Sequence, residues 1–341
     1  MKKWTRQFCM LAAASVIMLT LFGCSGQGGE SQDESSGVSG ELVLYTSQPE
    51  ADAQKLIEVF NKEHPDVKVS IFRSGTEEIV SKVLAEEKAG AVQADVLLVA
   101  DSVTFETLKE KHMLEAYASP ELKGIPAAYI DPDHMYTGTK VITTGIMYNT
   151  TRVKSSPSGF ADLTLAQYKG EVIMPSPLYS GAAAYTVGVM SRTRGLGWEF
   201  FRNLKQNGIT VDKGNGAVQK AVVSGDKACG IIVDYMANRS QKDGAPVAFV
   251  YPREGSPAIT EPVGMLKTAK NKKAAQAFID FVLSEKGQQL ASDLGYTPVK
   301  EGVAAPGGLK SIAGITAMDV DIKTLYQSRE ADKTQFSTIF Q

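Results

Sequence analysis

Ser180-Gly181-Ala182-Ala183 opens an alanine-rich stretch, and no acid lies between Glu171 and Glu199. The first turn of a helix leaves backbone N–H groups without partners, and a nearby Asp or Glu normally answers the positive end of the helix dipole. A helix start made of small residues, with no acid of its own, lets an external anion approach those amides closely. Tyr179 directly precedes this turn and is a further candidate contact. Two other turns offer donors of the same kind: Thr46 and Ser47 follow the apolar run ELVLY, and Ser74, Gly75 and Thr76 follow VKVSIF. Ser47-to-Glu50 and Ser74-to-Glu77 also fit the capping-box spacing, in which the Glu reaches back to its own cap. Asp101 follows a third apolar run, where it could cap a helix or meet a positive or hydroxyl group of a ligand.

The elements that must position these residues alternate in type. ELVLY (41–45), VKVSIF (67–72) and ADVLLVA (94–100) are short apolar runs that read as strands, with helical spacing of apolar residues between them. A second series holds strands at 170–175, 208–211 and 229–233, with helices at 182–192, 198–206 and 217–223. Two long β-like segments, 137–149 and 261–267, lie between and after the series, and helices beginning at 274–284 end the chain. Alternating β and α elements predict α/β lobes on largely parallel sheets, and about 300 residues is enough for two of them.

Compartment is read from the N-terminus. Lys2, Lys3 and Arg6 precede an apolar run from Phe8 to Phe22, which ends in Leu21-Phe22-Gly23-Cys24. That layout is a secretory signal, and Cys24 after Leu-x-Gly resembles the lipobox of bacterial lipoproteins. The expectation is cleavage of residues 1–23, lipidation of Cys24, and a bacterial cell-membrane lipid anchor on the extracytoplasmic face. Residues 24–40 are Gly- and Ser-rich and read as a tether. With Cys9 and Cys24 so assigned, Cys229 remains, in an apolar run that predicts an inert buried thiol. The formal net charge of −2 gives no basic stripe for nucleic acid.

Taken in order, LYTSQPEADAQKLIEVFNKEHPDVKV, QADVLLVAD, GTKVITTGIMYNT, the SGAA turn, GNGAVQKAVVSGDKACGII and AAQAFIDFVLSEKGQQLAS resemble the extracellular solute-binding proteins of ABC importers. Within these, the chain resembles the branch that holds binders of ferric ion, phosphonates and sugar phosphates. The resemblance covers residues 41–341. It implies a two-lobed periplasmic-binding-protein-like fold of type 2, with the ligand cleft between lobes and a hinge motion that closes it. The N-terminal lobe would be 41–145 plus 265–341, and the other 146–264. It also implies a monomer working with an ABC permease and ATPase.

For the site, the resemblance implies an anion held by Ser180, Gly181 and Ala182, with Asn215 beside it. Ferric-binding relatives place adjacent tyrosines after the strand matching CGIIV, where this chain has Asp234-Tyr235. Tyr235 and Asp234, with Tyr45 or Tyr179, could still build an oxygen-rich Fe³⁺ site with carbonate or phosphate as its anion, since hard cations accept phenolate and carboxylate. The three histidines show no metal spacing. Retention of the anion turn favours a phosphate- or phosphonate-bearing solute, such as 2-aminoethylphosphonate or a sugar phosphate, with Asp234 or Asp101 facing its positive group or hydroxyls. No cofactor is expected. A lipoprotein ligand sensor is an alternative role. A hydrolase is disfavoured, because G-x-S-x-G, H-E-x-x-H and the P-loop are all missing.

Overall fold

The computed structural model describes residues 37–318 and 320–341. Cys24 and the expected signal segment, residues 1–23, lie outside the described residues. Among those described, no helix is long and apolar enough to cross a membrane.

The first α/β series is β1 (Gly40–Thr46), α1 (Glu50–Glu63), β2 (Val67–Arg73), α2 (Thr76–Lys88), β3 (Val96–Leu98) and α3 (Ser102–Glu110), followed by the short β4 (Leu114–Glu115). β1 runs parallel to both β2 and β3. Alternation along the strands explains the two faces. Leu42, Leu44, Val96 and Leu98 pack with Phe60 and Phe278, whereas Tyr45, Leu97 and Val99 pack with Ile79, Phe105 and Leu108.

β5 (Thr137–Asn149) then crosses out of this lobe. Its first half pairs antiparallel with β10 (Ala258–Leu266), and its second half with β8 (Cys229–Val233) and β9 (Val247–Val250). The second series comprises β6 (Val172–Pro175), α4 (Gly181–Met190), α5 (Gly197–Gln206), β7 (Thr210–Asp212), α6 (Asn215–Ser224), β8 and α7 (Asp234–Lys242). β6 is parallel to both β7 and β8. The main sheet order is therefore β2-β1-β3-β10-β5-β8-β6-β7. Two parallel three-stranded segments are joined by an antiparallel pair, and β5 and β10 are the crossing strands.

After β10 come α8 (Lys272–Leu283), α9 (Glu285–Asp293) and β11 (Thr297–Pro298), which cover the first lobe. The final helix α10 (Ile322–Phe340) does otherwise. Its Leu325 and Phe336 join the core built on β6 and β8, with Phe336 edge-on to Phe201. Asp332 takes both guanidinium nitrogens of Arg192, at 2.7 and 3.0 Å. The expected lobe boundary grouped 265–341 with the first lobe, yet α10 packs on α4 and α5 of the second and on α3 of the first.

Candidate functional site

The helix start that lacks an acid is built as its sequence dictates. Ser180 caps α4, its hydroxyl accepting from the Ala183 amide at 3.2 Å. The helix contains no acid in its first turn and is apolar on all sides, every residue buried. The amides of Gly181 and Ala182 precede the first intrahelical bond and so have no partner within the helix. Both residues line a cleft of about 350 Å³.

Other helix starts converge there. Gly75 and Thr76 bring the start of α2, and Asn215, Gly216 and Ala217 bring the start of α6. Asn215 donates from Nδ2 to the Ser180 hydroxyl at 3.4 Å and accepts from the Val233 amide at 3.4 Å. One side chain thus ties α6, the α4 cap and the end of β8 together. Ser47 lines the same cleft, its hydroxyl accepting from the Ala100 amide at 3.3 Å.

Tyr179 joins the two walls. Its carbonyl accepts from the Glu77 amide at 3.3 Å, and its hydroxyl accepts from Arg73 at 3.4 Å. Lys213 lies 4.4 Å from the centre of its ring and forms an ion pair with Glu78 at 3.2 Å. This approach requires glycine at two places. A Cβ on Gly75 would stand 2.4 Å from the Tyr179 carbonyl oxygen, and one on Gly181 2.6 Å from that of Ala100.

The structure brings Ser47, Gly75, Thr76, Tyr179, Ser180, Gly181, Ala182, Asn215 and Tyr235 to one cleft, and leaves four expected contacts outside it. Thr46 is buried beside it, with its hydroxyl donating to Leu98 O at 2.8 Å. Ser74 is spent on Glu78. Asp101 is fully buried: it caps α3 through the Thr104 amide at 2.9 Å and pairs with Arg329 of α10 at 2.8 Å. Asp234, 1% exposed, turns into the protein, accepting from the Tyr235 amide at 2.8 Å, the Thr143 amide at 3.2 Å and the Tyr251 hydroxyl at 3.3 Å. Burial pushes its carboxyl up to about 6 against those three hydrogen bonds.

Neither capping box forms. α1 begins at Pro49 without a side-chain cap, and α2 likewise follows an uncapped Gly75. Glu77 instead pairs with Arg329 at 2.6 Å and Lys333 at 2.8 Å. Burial works to raise its carboxyl, and the two cations outweigh burial and hold it below the ordinary value.

Of the oxygen-rich metal set, Tyr179 and Tyr235 share the cleft, whereas Asp234 and Tyr45 do not line it. Tyr45 faces the core with its hydroxyl on Glu86 at 2.9 Å. The Tyr235 ring packs on Tyr296 at 4.3 Å and under the Arg239 guanidinium at 4.9 Å. Burial and the nearby Glu261 raise its phenol well above the ordinary range, which opposes a phenolate. Among the described residues, no group of three or more His, Cys, Asp or Glu side chains is placed to hold a metal ion. Cys229 is buried, and that burial pushes its thiol up to about 12, as expected of an inert side chain.

Four polar lining residues escaped the sequence reading: Gln48, Arg73, Lys213 and Glu261. Arg73 is the last residue of β2 and Lys213 directly follows β7, so the strand-end rule that singled out their neighbours could have found them. Glu261 had no such signal, being an acid inside a crossing strand.

A family model described as bacterial extracellular solute-binding protein matches residues 92–318. The chain is similar to iron uptake protein A1 of Synechocystis sp., with 26% identity over 302 residues and 82% of each chain covered. In structure it is similar to the periplasmic binding protein AfuA of Actinobacillus pleuropneumoniae, solved with exogenous fructose-6-phosphate bound. That match has a TM-score of 0.82 and 24% identity, covering 88% of this chain and 98% of the other. Iron-bound HitA of Pseudomonas aeruginosa is also similar, with a TM-score of 0.76 and 22% identity over 87% of this chain and 99% of the other. What these structures share with the chain is the two-lobed fold expected from its sequence.

Proposed function

This chain belongs to the bacterial extracellular solute-binding proteins, receptors that serve ABC permease–ATPase importers and are not enzymes, and we propose that its solute is a small organic phosphate or phosphonate anion. The observation that carries this reading is the meeting in one cleft of α4 amides that have no partner within their helix with Arg73 and Lys213. Arg73 donates to the neutral Gln48 O at 2.8 Å and to the Tyr179 hydroxyl. Glu78, which pairs with Lys213 at 3.2 Å, also lies within the field of Arg73 and offsets part of the charge of the two cations. Phosphate oxygens suit this surface, because oriented N–H groups and a guanidinium both donate to them. Asn215 and Ser180 hold the α4 and α6 starts in register, and Thr76 adds a hydroxyl from the facing wall.

Binding would draw the two walls together across Tyr179, with affinity arising from contacts made only in the closed state. Attachment to the extracytoplasmic face of the membrane through lipid on Cys24 is part of the same proposal. Radiolabelled palmitate should enter the wild-type protein in cells and be absent from the Cys24→Ser variant.

A ferric reading is favoured by the names of relatives such as iron uptake protein A1. The same experiment decides between the two. Titration calorimetry and melting curves of the detergent-solubilised full chain would compare inorganic phosphate, hexose phosphates, 2-aminoethylphosphonate and chelated Fe³⁺. A ligand that binds only the folded state raises the melting temperature as its concentration rises. Stabilisation by phospho-compounds alone supports the proposal. Stabilisation by Fe³⁺ with a visible tyrosinate charge-transfer band would replace it and make Tyr235 a metal ligand.

A further inference from the structure

We propose that Glu261 is a specificity-determining acceptor for hydroxyl groups at the end of the ligand remote from its phosphate. The solute would then be a polyhydroxylated phosphate ester rather than an aminoalkylphosphonate. This rests on the phospho-anion reading of the same cleft.

Glu261 is 3% exposed and lines the cleft from the crossing strand β10. Its backbone is held by the Thr139 hydroxyl, which donates to Glu261 O at 2.6 Å. Two donors approach the carboxylate, and both meet Oε2: Gln48 Nε2 at 2.9 Å and the buried Lys140 ammonium. Oε1 accepts no hydrogen bond from the described residues. Because Glu261 lines the cleft and Gln48 and Lys140 both occupy Oε2, Oε1 is the carboxylate oxygen left for a donor in the cleft, where a ligand hydroxyl would take the place of solvent. Gln48, also buried and lining the cleft, spends its Nε2 on Glu261 and keeps its own Oε1 as a second acceptor.

The surrounding charge selects among donors. Lys140 already neutralises the carboxylate, and Arg73 and Lys213 line the same cleft. An ammonium group at Oε1 would add a further cation next to Lys140 in a poorly hydrated space. A hydroxyl donates the same hydrogen bond with no such repulsion. Two neighbouring acceptors, from Glu261 and Gln48, suit a pair of hydroxyls. The cleft volume of about 350 Å³ leaves room for a carbon chain or ring beyond the phosphate.

The test uses the detergent-solubilised full chain and three probes in calorimetry: fructose 6-phosphate, 2-aminoethylphosphonate and inorganic phosphate. The wild type should bind the hydroxylated ester about tenfold or more tightly than either other probe. Glu261→Gln would turn its carbonyl to Lys140 and Gln48 and its NH₂ to the cleft, offering a donor where an acceptor is needed. It should lose that preference, while affinity for inorganic phosphate stays within about twofold. Because this change leaves Lys140 without its counter-charge, Glu261→Gln with Lys140→Met is measured alongside, and a melting curve reports folding of each. Retention of the preference in a folded variant overturns the assignment, as does a wild type that favours 2-aminoethylphosphonate. If inorganic phosphate binds and the hydroxylated ester gains nothing, the Glu261 assignment alone falls. If no phospho-compound binds, the phospho-anion reading falls and takes this one with it.

Discussion

The starts of α3 and α4 stand against each other, since a Cβ on Gly181 would touch the carbonyl oxygen of Ala100. They are finished in opposite ways. α3 begins with Asp101, whose carboxylate caps the helix and is locked by Arg329. α4 begins with Ser180, carries no acid, and leaves its first amides facing the cleft. The difference teaches what turns a helix N-terminus into a site. A side chain that satisfies its own helix makes the start structural, and withholding that side chain leaves the dipole and amides for a ligand.

The comparison can be broken hardest at α3. Arg329→Met would leave Asp101 and Glu77 buried with one cation fewer, and breaking a buried pair in this way costs about 3–5 kcal/mol. Denaturant unfolding should register that loss, and retention of full stability would mean that these charges are solvated. At Gly75, alanine would set its Cβ 2.4 Å from the Tyr179 carbonyl oxygen. Gly75→Ala should therefore lower unliganded stability and also weaken ligand binding about a hundredfold, by forcing Tyr179 away. Calorimetry beside a melting curve separates the two effects.

Asp234 sharpens the comparison through pH. Its carboxyl stands near 6 in the folded protein against an ordinary 3.8, so the folded state binds more protons between those values. Stability should therefore fall as pH rises from about 4 to 6, with the penalty complete above 6 and absent below 4, at most about 3 kcal/mol. Asp234→Asn should flatten this slope in urea titrations across that range. Ser180→Ala removes a cap worth about 1 kcal/mol of stability and should also weaken phosphate-ester binding severalfold. Lys213→Ala should have the smallest effect, a few-fold loss of affinity that fades in high salt.

Much of the fold was legible because its signals are local. Strands such as CGIIV, the helix starting at Ser180 and the two crossing segments follow from apolar runs, turn residues and spacing. The candidate site was legible in part for the same reason. Turns at strand ends expose small residues and hydroxyls, and Ser47, Gly75, Thr76, Ser180 and Asn215 share one cleft. The acids were legible only in part, because the role of a carboxylate depends on its partner. Asp101 caps α3 as one reading had it, but neither its ion pair nor that of Glu77 could be read along the chain. Asp101 meets Arg329 and Glu77 meets Arg329 and Lys333, each across more than 200 residues of chain.

The sequence by itself determined the α/β elements, the two series with their crossing segments, and a helix start left without an acid. Backbone propensity, apolar periodicity and capping act over a few residues, and so can be read along the chain. Tertiary structure alone decided that α10 would span both lobes and neutralise the acids of α2 and α3. It alone decided that Asp234 would turn inward, and that Glu261, with Lys140 and Gln48 on one oxygen, would line the cleft. Electrostatic pairing acts through space and at short range, and only the folded chain brings such distant partners within reach.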